Sequence, residues 1–260
     1  MFYWLMRRVV GGPLLRLLFR PWVVGIENVP AEGPVIMASN HLSVLDSFVL
    51  PIVLPRRIVF IGKSEYFTGT GVRGRLTAGF MRGVGTIPLD RSGGKASEAA
   101  LRTGLAHLED GGIFGIYPEG TRSPDGRLYR GKTGVARLAI ESGAPIVPVA
   151  MIGTDRAQPI GRRLPRPMRI GVVLGEPVTF GRHRGEEGDR AVLRSVTDEI
   201  MYRIQLCSGQ EYADVDAATF KARPGTSAPV DDGARTSPGG RPVPAGLRPP
   251  TRPGARSGDR

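Results

Sequence analysis

Thiols and imidazoles are scarce in this chain. Cys207 is the only cysteine among 260 residues, so no internal disulfide can form, and a reducing compartment suits the composition. The three histidines, His41, His107 and His183, have no paired spacing, which argues against a structural zinc site, and no metal or cofactor is expected. Long apolar runs are missing too. Phe2, Leu5, Met6 and Val9 fall at helical spacing and Leu14, Leu15, Leu17 and Leu18 form a second group, yet neither approaches the roughly 20 apolar residues of a spanning helix. Arg16 interrupts the second group and no small-residue cleavage site follows, so a signal peptide is not expected. Residues 1–22 hold no acidic side chain but carry Arg7, Arg8, Arg16 and Arg20. This pattern fits basic amphipathic helices over residues 1–21 lying on an anionic membrane surface; the alternative is a helical hairpin packed on the domain's own core. Gly11-Gly12-Pro13 is expected to break or kink the helix between the two groups.

Lysine is rare as well, and nearly all of the 36 basic residues are arginine. The formal charge of +12 makes acidic partners plausible, although an arginine excess beside 37 Gly and 23 Pro also fits a bias of the whole composition. Residues 221–260 contain no aromatic side chain, 8 Pro and 7 Gly. Such a segment cannot bury enough surface to offset its ordering entropy, and a disordered tail is expected there. Between the ends the pattern alternates. β-rich runs at 23–26, 34–38, 57–62, 113–117, 146–150 and 168–174 are separated by helical stretches near 44–54, 73–82, 95–109, 133–142 and 189–206. That order predicts a single α/β domain over 22–208, with a mostly parallel sheet flanked by helices and functional residues on loops at the carboxyl ends of strands.

Two polar stretches sit at such places. Ser39-Asn40-His41-Leu42-Ser43-Val44-Leu45-Asp46 follows the run Val35–Ala38, and Tyr117-Pro118-Glu119-Gly120-Thr121-Arg122-Ser123 follows the run at 113–117. A five-residue step rotates by roughly 140° in a helix, so His41 and Asp46 cannot share one helical face. They meet if His41 lies on the loop leaving a strand and Asp46 in the first turn of the next helix, where a carboxylate suits the positive helix end. A carboxylate orienting a histidine is half of a hydrolase triad. No nucleophile elbow accompanies it, so the imidazole would act directly on a substrate hydroxyl. Ser43 and Cys207 are not expected to act as covalent nucleophiles.

Together with Gly85-Thr86-Ile87-Pro88-Leu89-Asp90-Arg91 and Ala144-Pro145-Ile146-Val147-Pro148-Val149-Ala150, these stretches form four ordered blocks within about residues 22–180. The chain thereby resembles the glycerolipid and lysophospholipid acyltransferases, in particular those acting on 1-acyl-glycerol-3-phosphate. The resemblance implies transfer of a fatty acyl group from acyl-CoA or acyl carrier protein to the sn-2 hydroxyl, giving phosphatidic acid, at the cytoplasmic face of the cell membrane. His41 would be the base and Asp46 its orienting carboxylate. Arg91 and Arg122 would hold the acceptor phosphate with Lys132 as a further cation, Glu119 would position Arg122 or a substrate hydroxyl, Gly120 would let backbone come close, and Thr121 would supply a hydroxyl. Another lysophospholipid or a glycolipid is the alternative acceptor. A non-enzymatic basic protein binding nucleic acid or membrane is the alternative class, but no nucleic-acid motif supports it.

Other positions stay open. Arg73, Arg75 and Arg82 could meet lipid headgroups or donor phosphates, or form a solvated face. No role is assigned to Lys63, and His107 and His183 are expected at the surface. Gly131-Lys132-Thr133 resembles the end of a phosphate-binding P-loop, but nucleotide binding is not expected.

Overall fold

The computed structural model describes residues 11–63, 71, 74–75, 79, 86–89 and 96–222. The first N-terminal apolar group, Arg73, Arg82, Arg91 and the tail beyond residue 222 lie outside them. Among the described residues, seven strands form one sheet in the order β1 (Trp22–Val24), β8 (Gly171–Leu174), β7 (Ile146–Ile152), β2 (Val35–Ser39), β5 (Ile113–Ile116), β3 (Ile58–Lys63), β4 (Thr86–Leu89). Every neighbouring pair is parallel except β7 and β8. The central strand shows why its sequence is a continuous apolar run. Val35 and Met37 enter one core, Ile36 and Ala38 the other, so both faces of β2 are covered.

Helices α1 (Gly11–Phe19) and α2 (Asp46–Val53) cover the first face. Helices α3 (Ala96–Glu109), α4 (Gly134–Ser142) and α6 (Arg190–Ser208) cover the second, with the short α5 (Thr154–Ala157) following β7. Gly11, Gly12 and Pro13 are themselves helical. α1 belongs to the domain, because Leu15 and Phe19 are buried in its core, whereas Leu14 and Leu17 remain exposed. The hairpin alternative therefore accounts for one face of α1, and the other face presents leucine to solvent. No helix among the described residues is long and apolar enough to cross a membrane.

Described elements continue past the expected domain end at 208, up to the expected tail start at 221. Gly209 ends α6 in the left-handed conformation, and the chain then returns as β9 (Tyr212–Ala213) and α7 (Ala217–Lys221). β9 pairs with β6 (Leu128–Tyr129). Ala213 and Ala217 pack on Tyr129, and Asp216 caps α7 by accepting from the amides of Ala218 and Thr219. Pairing with β6, two small buried side chains and one cap hold this segment, which its composition does not reveal.

Candidate active site

β2 ends at Ser39 and α2 begins at Asp46, so His41 lies on the connecting loop at the carboxyl end of the central strand. Its Nδ1 stands 2.9 Å from Asp46 Oδ2. The same carboxylate oxygen accepts from the amides of Leu42 (2.7 Å) and Ser43 (2.8 Å), which curls the loop around it. Asp46 is fully buried, and its Oδ1 has no hydrogen-bond partner. A carboxylate that collects three donors on one oxygen makes Nδ1 the protonated nitrogen of the neutral ring and leaves Nε2 as the base. The ring stacks on Tyr117 at 3.9 Å between centroids, and Phe60 stacks behind Tyr117 at 5.3 Å. Gly115 allows this, because a Cβ there would lie 2.3 Å from the Phe60 ring. Tyr117 shares a hydrogen bond with Ser47, and burial, reinforced by the Asp46 charge, pushes its phenol well above the ordinary value.

The second polar stretch clamps the His41 peptide at both ends. The His41 amide donates to Glu119 Oε1 at 3.1 Å, and the Ser123 amide donates to the His41 carbonyl at 2.7 Å. Glu119 Oε2 accepts from the Tyr129 amide at 2.9 Å. Glu119 is 1% exposed and each of its oxygens accepts from a backbone amide, so it ties the His41 loop to Tyr129. Burial, with the Asp46 charge adding to it, pushes its pKa up to about 8 against the pull of the two amides and of Lys221.

Arg122 follows directly in this loop. Among the described residues no acidic group pairs with its guanidinium or with the ammonium of Lys132. Lys132 lies against Gly120, where φ is +71° and a Cβ would sit 3.2 Å from Nζ. The Thr121 hydroxyl accepts from Lys221 Nζ at 2.9 Å, a partner that the sequence reading missed because it falls in the Pro/Gly-rich end of the chain. Asn40 is a second residue without an assigned role. Its side chain donates to the Met151 carbonyl and to Gln210 Oε1, and accepts from the Met151 amide, locking β2 to β7 beside His41. Its only signal is its place before His41.

Ser43 Oγ donates to the Gln158 carbonyl at 3.0 Å and accepts from the Leu45 amide, so it is occupied away from the imidazole. Cys207 is buried against Ala150 and Val173, and burial raises its thiol. Arg75 and His183 are accessible. His107 departs from expectation: its Nε2 is buried without a partner, and burial lowers its pKa. Gly126 to Thr133 has the spacing of a P-loop, but its amides do not form a phosphate cradle. The amides of Leu128, Tyr129, Arg130 and Lys132 all donate within the protein, to Glu211, Glu119, Val215 and Pro118.

A family model described as Acyltransferase matches residues 20–152. The chloroplast 1-acyl-sn-glycerol-3-phosphate acyltransferase BAT2 of Brassica napus is 31% identical over 140 residues, 54% of this chain and 39% of that relative. The 1-acyl-sn-glycerol-3-phosphate acyltransferase of Bacillus subtilis is 30% identical over 154 residues, 58% of this chain and 70% of the relative. The chain thus spans under two fifths of the length of the chloroplast relatives it matches. The crystal structure of the 1-acyl-sn-glycerophosphate (LPA) acyltransferase PlsC from Thermotoga maritima superposes with a TM-score of 0.55 at 28% identity, covering 75% of this chain and 80% of that one. With a family model spanning both loops that meet at His41 and an α/β core shared with a solved member, this chain belongs to the acyltransferase family.

Proposed function

We propose that the protein transfers a fatty acyl group from a thioester donor, acyl-CoA or acyl carrier protein, to the sn-2 hydroxyl of 1-acyl-glycerol-3-phosphate. The observation that carries this reading is an imidazole oriented by Asp46 beside Arg122, whose guanidinium has no counterion among the described residues and lies one residue from a backbone bond to that histidine. The names of the relatives in plants and bacteria support the acceptor.

The steps balance without a covalent enzyme intermediate. His41 Nε2 removes the proton of the acceptor hydroxyl as its oxygen attacks the thioester carbonyl. Asp46 stabilises the imidazolium that forms, as three donors to one oxygen require of an ionised carboxylate. Collapse of the tetrahedral adduct breaks the C–S bond, and the imidazolium returns its proton to the departing thiolate. Arg122 and Lys132 pair with the acceptor phosphate and hold the hydroxyl within reach, an effect on the entropy of encounter rather than on bond making. Peripheral attachment to the cytoplasmic face of the cell membrane fits the exposed Leu14 and Leu17 on α1 beside Arg16 and Arg20.

The test is acylation by the purified chain, with labelled acyl-CoA and labelled acyl carrier protein offered in turn to 1-acyl-glycerol-3-phosphate, other lysophospholipids and monoacylglycerol. Labelled phosphatidic acid as the main product supports the reading. Preference for a phosphate-free acceptor would remove the role given to Arg122.

A further inference from the structure

Outside the His41–Asp46 pair, one charged group that donates to the loop carrying Arg122 has no assigned task. Lys221, the last residue of α7, donates from Nζ to the Thr121 hydroxyl and to the Arg122 carbonyl. An ammonium has three donors, so one remains. Among the described residues no acidic group forms an ion pair with Lys221, Arg122 or Lys132. Lys132 lies against Gly120 while Lys221 holds Thr121 and Arg122, so three positive charges converge on three consecutive loop residues.

We propose that Lys221 is a third cation of the acceptor-phosphate site, delivered there by the β9–α7 segment acting as a strap across the loops that carry His41 and Arg122. The strap is built for placement. Its first residues are fixed by Gln210, which accepts from Asn40 Nδ2 at 2.7 Å and donates to the Gly126 carbonyl at 2.7 Å. Its middle is laced to β6, with the Leu128 amide on the Glu211 carbonyl and the Arg130 amide on the Val215 carbonyl. Its end lands on Thr121 and Arg122. A fold that needed only to close this edge could do so with an apolar residue at 221. Lysine instead adds a charge beside an arginine, at a cost recorded in its lowered pKa, where burial acts first and the Arg122 charge second, against the pull of Glu119. A phosphate dianion removes that cost, because it supplies the close counterion that no described residue gives Lys221.

This inference rests on the phosphate-bearing acceptor proposed above, and binding separates the two. The probe is glycerol 3-phosphate, titrated calorimetrically into the full chain as wild type, Lys221→Gln and Lys221→Arg. Gln can still donate to Thr121 and Arg122 but carries no charge, so thermal unfolding near that of wild type is expected. Loss of one charge-assisted contact should weaken glycerol 3-phosphate by about tenfold or more, with Lys221→Arg staying within about threefold of wild type. The same split should appear as a raised KM for 1-acyl-glycerol-3-phosphate in Lys221→Gln, restored by Lys221→Arg. Wild-type affinity in a folded Lys221→Gln protein overturns the proposal, as does absence of glycerol 3-phosphate binding to the wild type. Lys221-dependent binding without acyl transfer to any phosphate-bearing acceptor would sink the proposed reaction and leave the anion site standing. Acyl transfer with an unchanged KM in Lys221→Gln would do the reverse.

Discussion

Replacing Asp46 by Asn keeps the shape of the loop and removes its charge. In the folded protein Oδ2 of Asp46 takes three N–H groups at 2.7–2.9 Å, from the His41 ring and the amides of Leu42 and Ser43. A carboxamide oxygen accepts the same three more weakly, at a loss of about 1 kcal/mol each. The amide NH2 then occupies the place of Oδ1, a buried atom with no partner, and an unsatisfied donor there costs roughly 1–3 kcal/mol more. The share belonging to Leu42 and Ser43, together with that donor, falls on stability and amounts to about 3–5 kcal/mol. The share belonging to His41 falls on the reaction, where the imidazolium loses its counterion. The expected fall in kcat is about 10² to 10⁴-fold with KM for the acceptor little changed, since Asp46 touches no substrate. Thermal unfolding and circular dichroism report the first effect, and initial rates with labelled acyl donor across a range of acceptor concentrations report the second. A folded Asp46→Asn protein with kcat within about threefold of wild type would refute the reasoning.

Glu119→Gln should change the pH dependence of stability. A folded-state pKa raised from 4.5 to about 8 means that the native protein binds a proton the unfolded chain releases, so this contribution is fully present below pH 4.5 and is lost as pH rises towards 8, by at most roughly 5 kcal/mol. Denaturant unfolding at several pH values should show a smaller decline over that window in Glu119→Gln than in wild type, and parallel curves would contradict it. Replacing Leu14 and Leu17 together by Ser should weaken binding to anionic vesicles by at least about tenfold while leaving thermal unfolding in place, because both side chains are exposed and Leu15 and Phe19 still fill the core. A fall in thermal stability with unchanged vesicle binding would assign that face to the fold. Ser43→Ala and Cys207→Ala should both retain activity, and quenched mixtures with labelled donor alone should contain no labelled protein; a stable adduct on Ser43 formed at the turnover rate would replace direct transfer.

Local chemistry is what the sequence makes legible. The five-residue step from His41 to Asp46 becomes readable once a strand end and a helix start are placed on either side, because the side chains meet through a short loop. β2 is equally readable, since a strand covered on both faces must be apolar throughout. The role of Glu119 is not, because its partners are backbone amides, one of them 78 residues away, and amides leave no mark on side-chain chemistry. Asn40 and Gln210 meet across 170 positions for the same purpose. β6 and β9 are two residues each and too short to carry a period. The P-loop spacing shows the opposite failure, a pattern present in the letters whose donors the fold spends elsewhere. Lys221 combines these obstacles, being a single cation at the edge of a stretch whose average composition reads as unstructured.

The most direct measurement is acyl transfer by purified His41→Ala protein set beside wild type, with labelled donor and 1-acyl-glycerol-3-phosphate, after circular dichroism has shown both to be folded. Removal of Nε2 takes away the base that Asp46 orients, and product formation should fall by about 10²-fold or more while thermal unfolding stays near that of wild type. Phosphatidic acid produced at the wild-type rate by the folded His41→Ala protein would contradict the account.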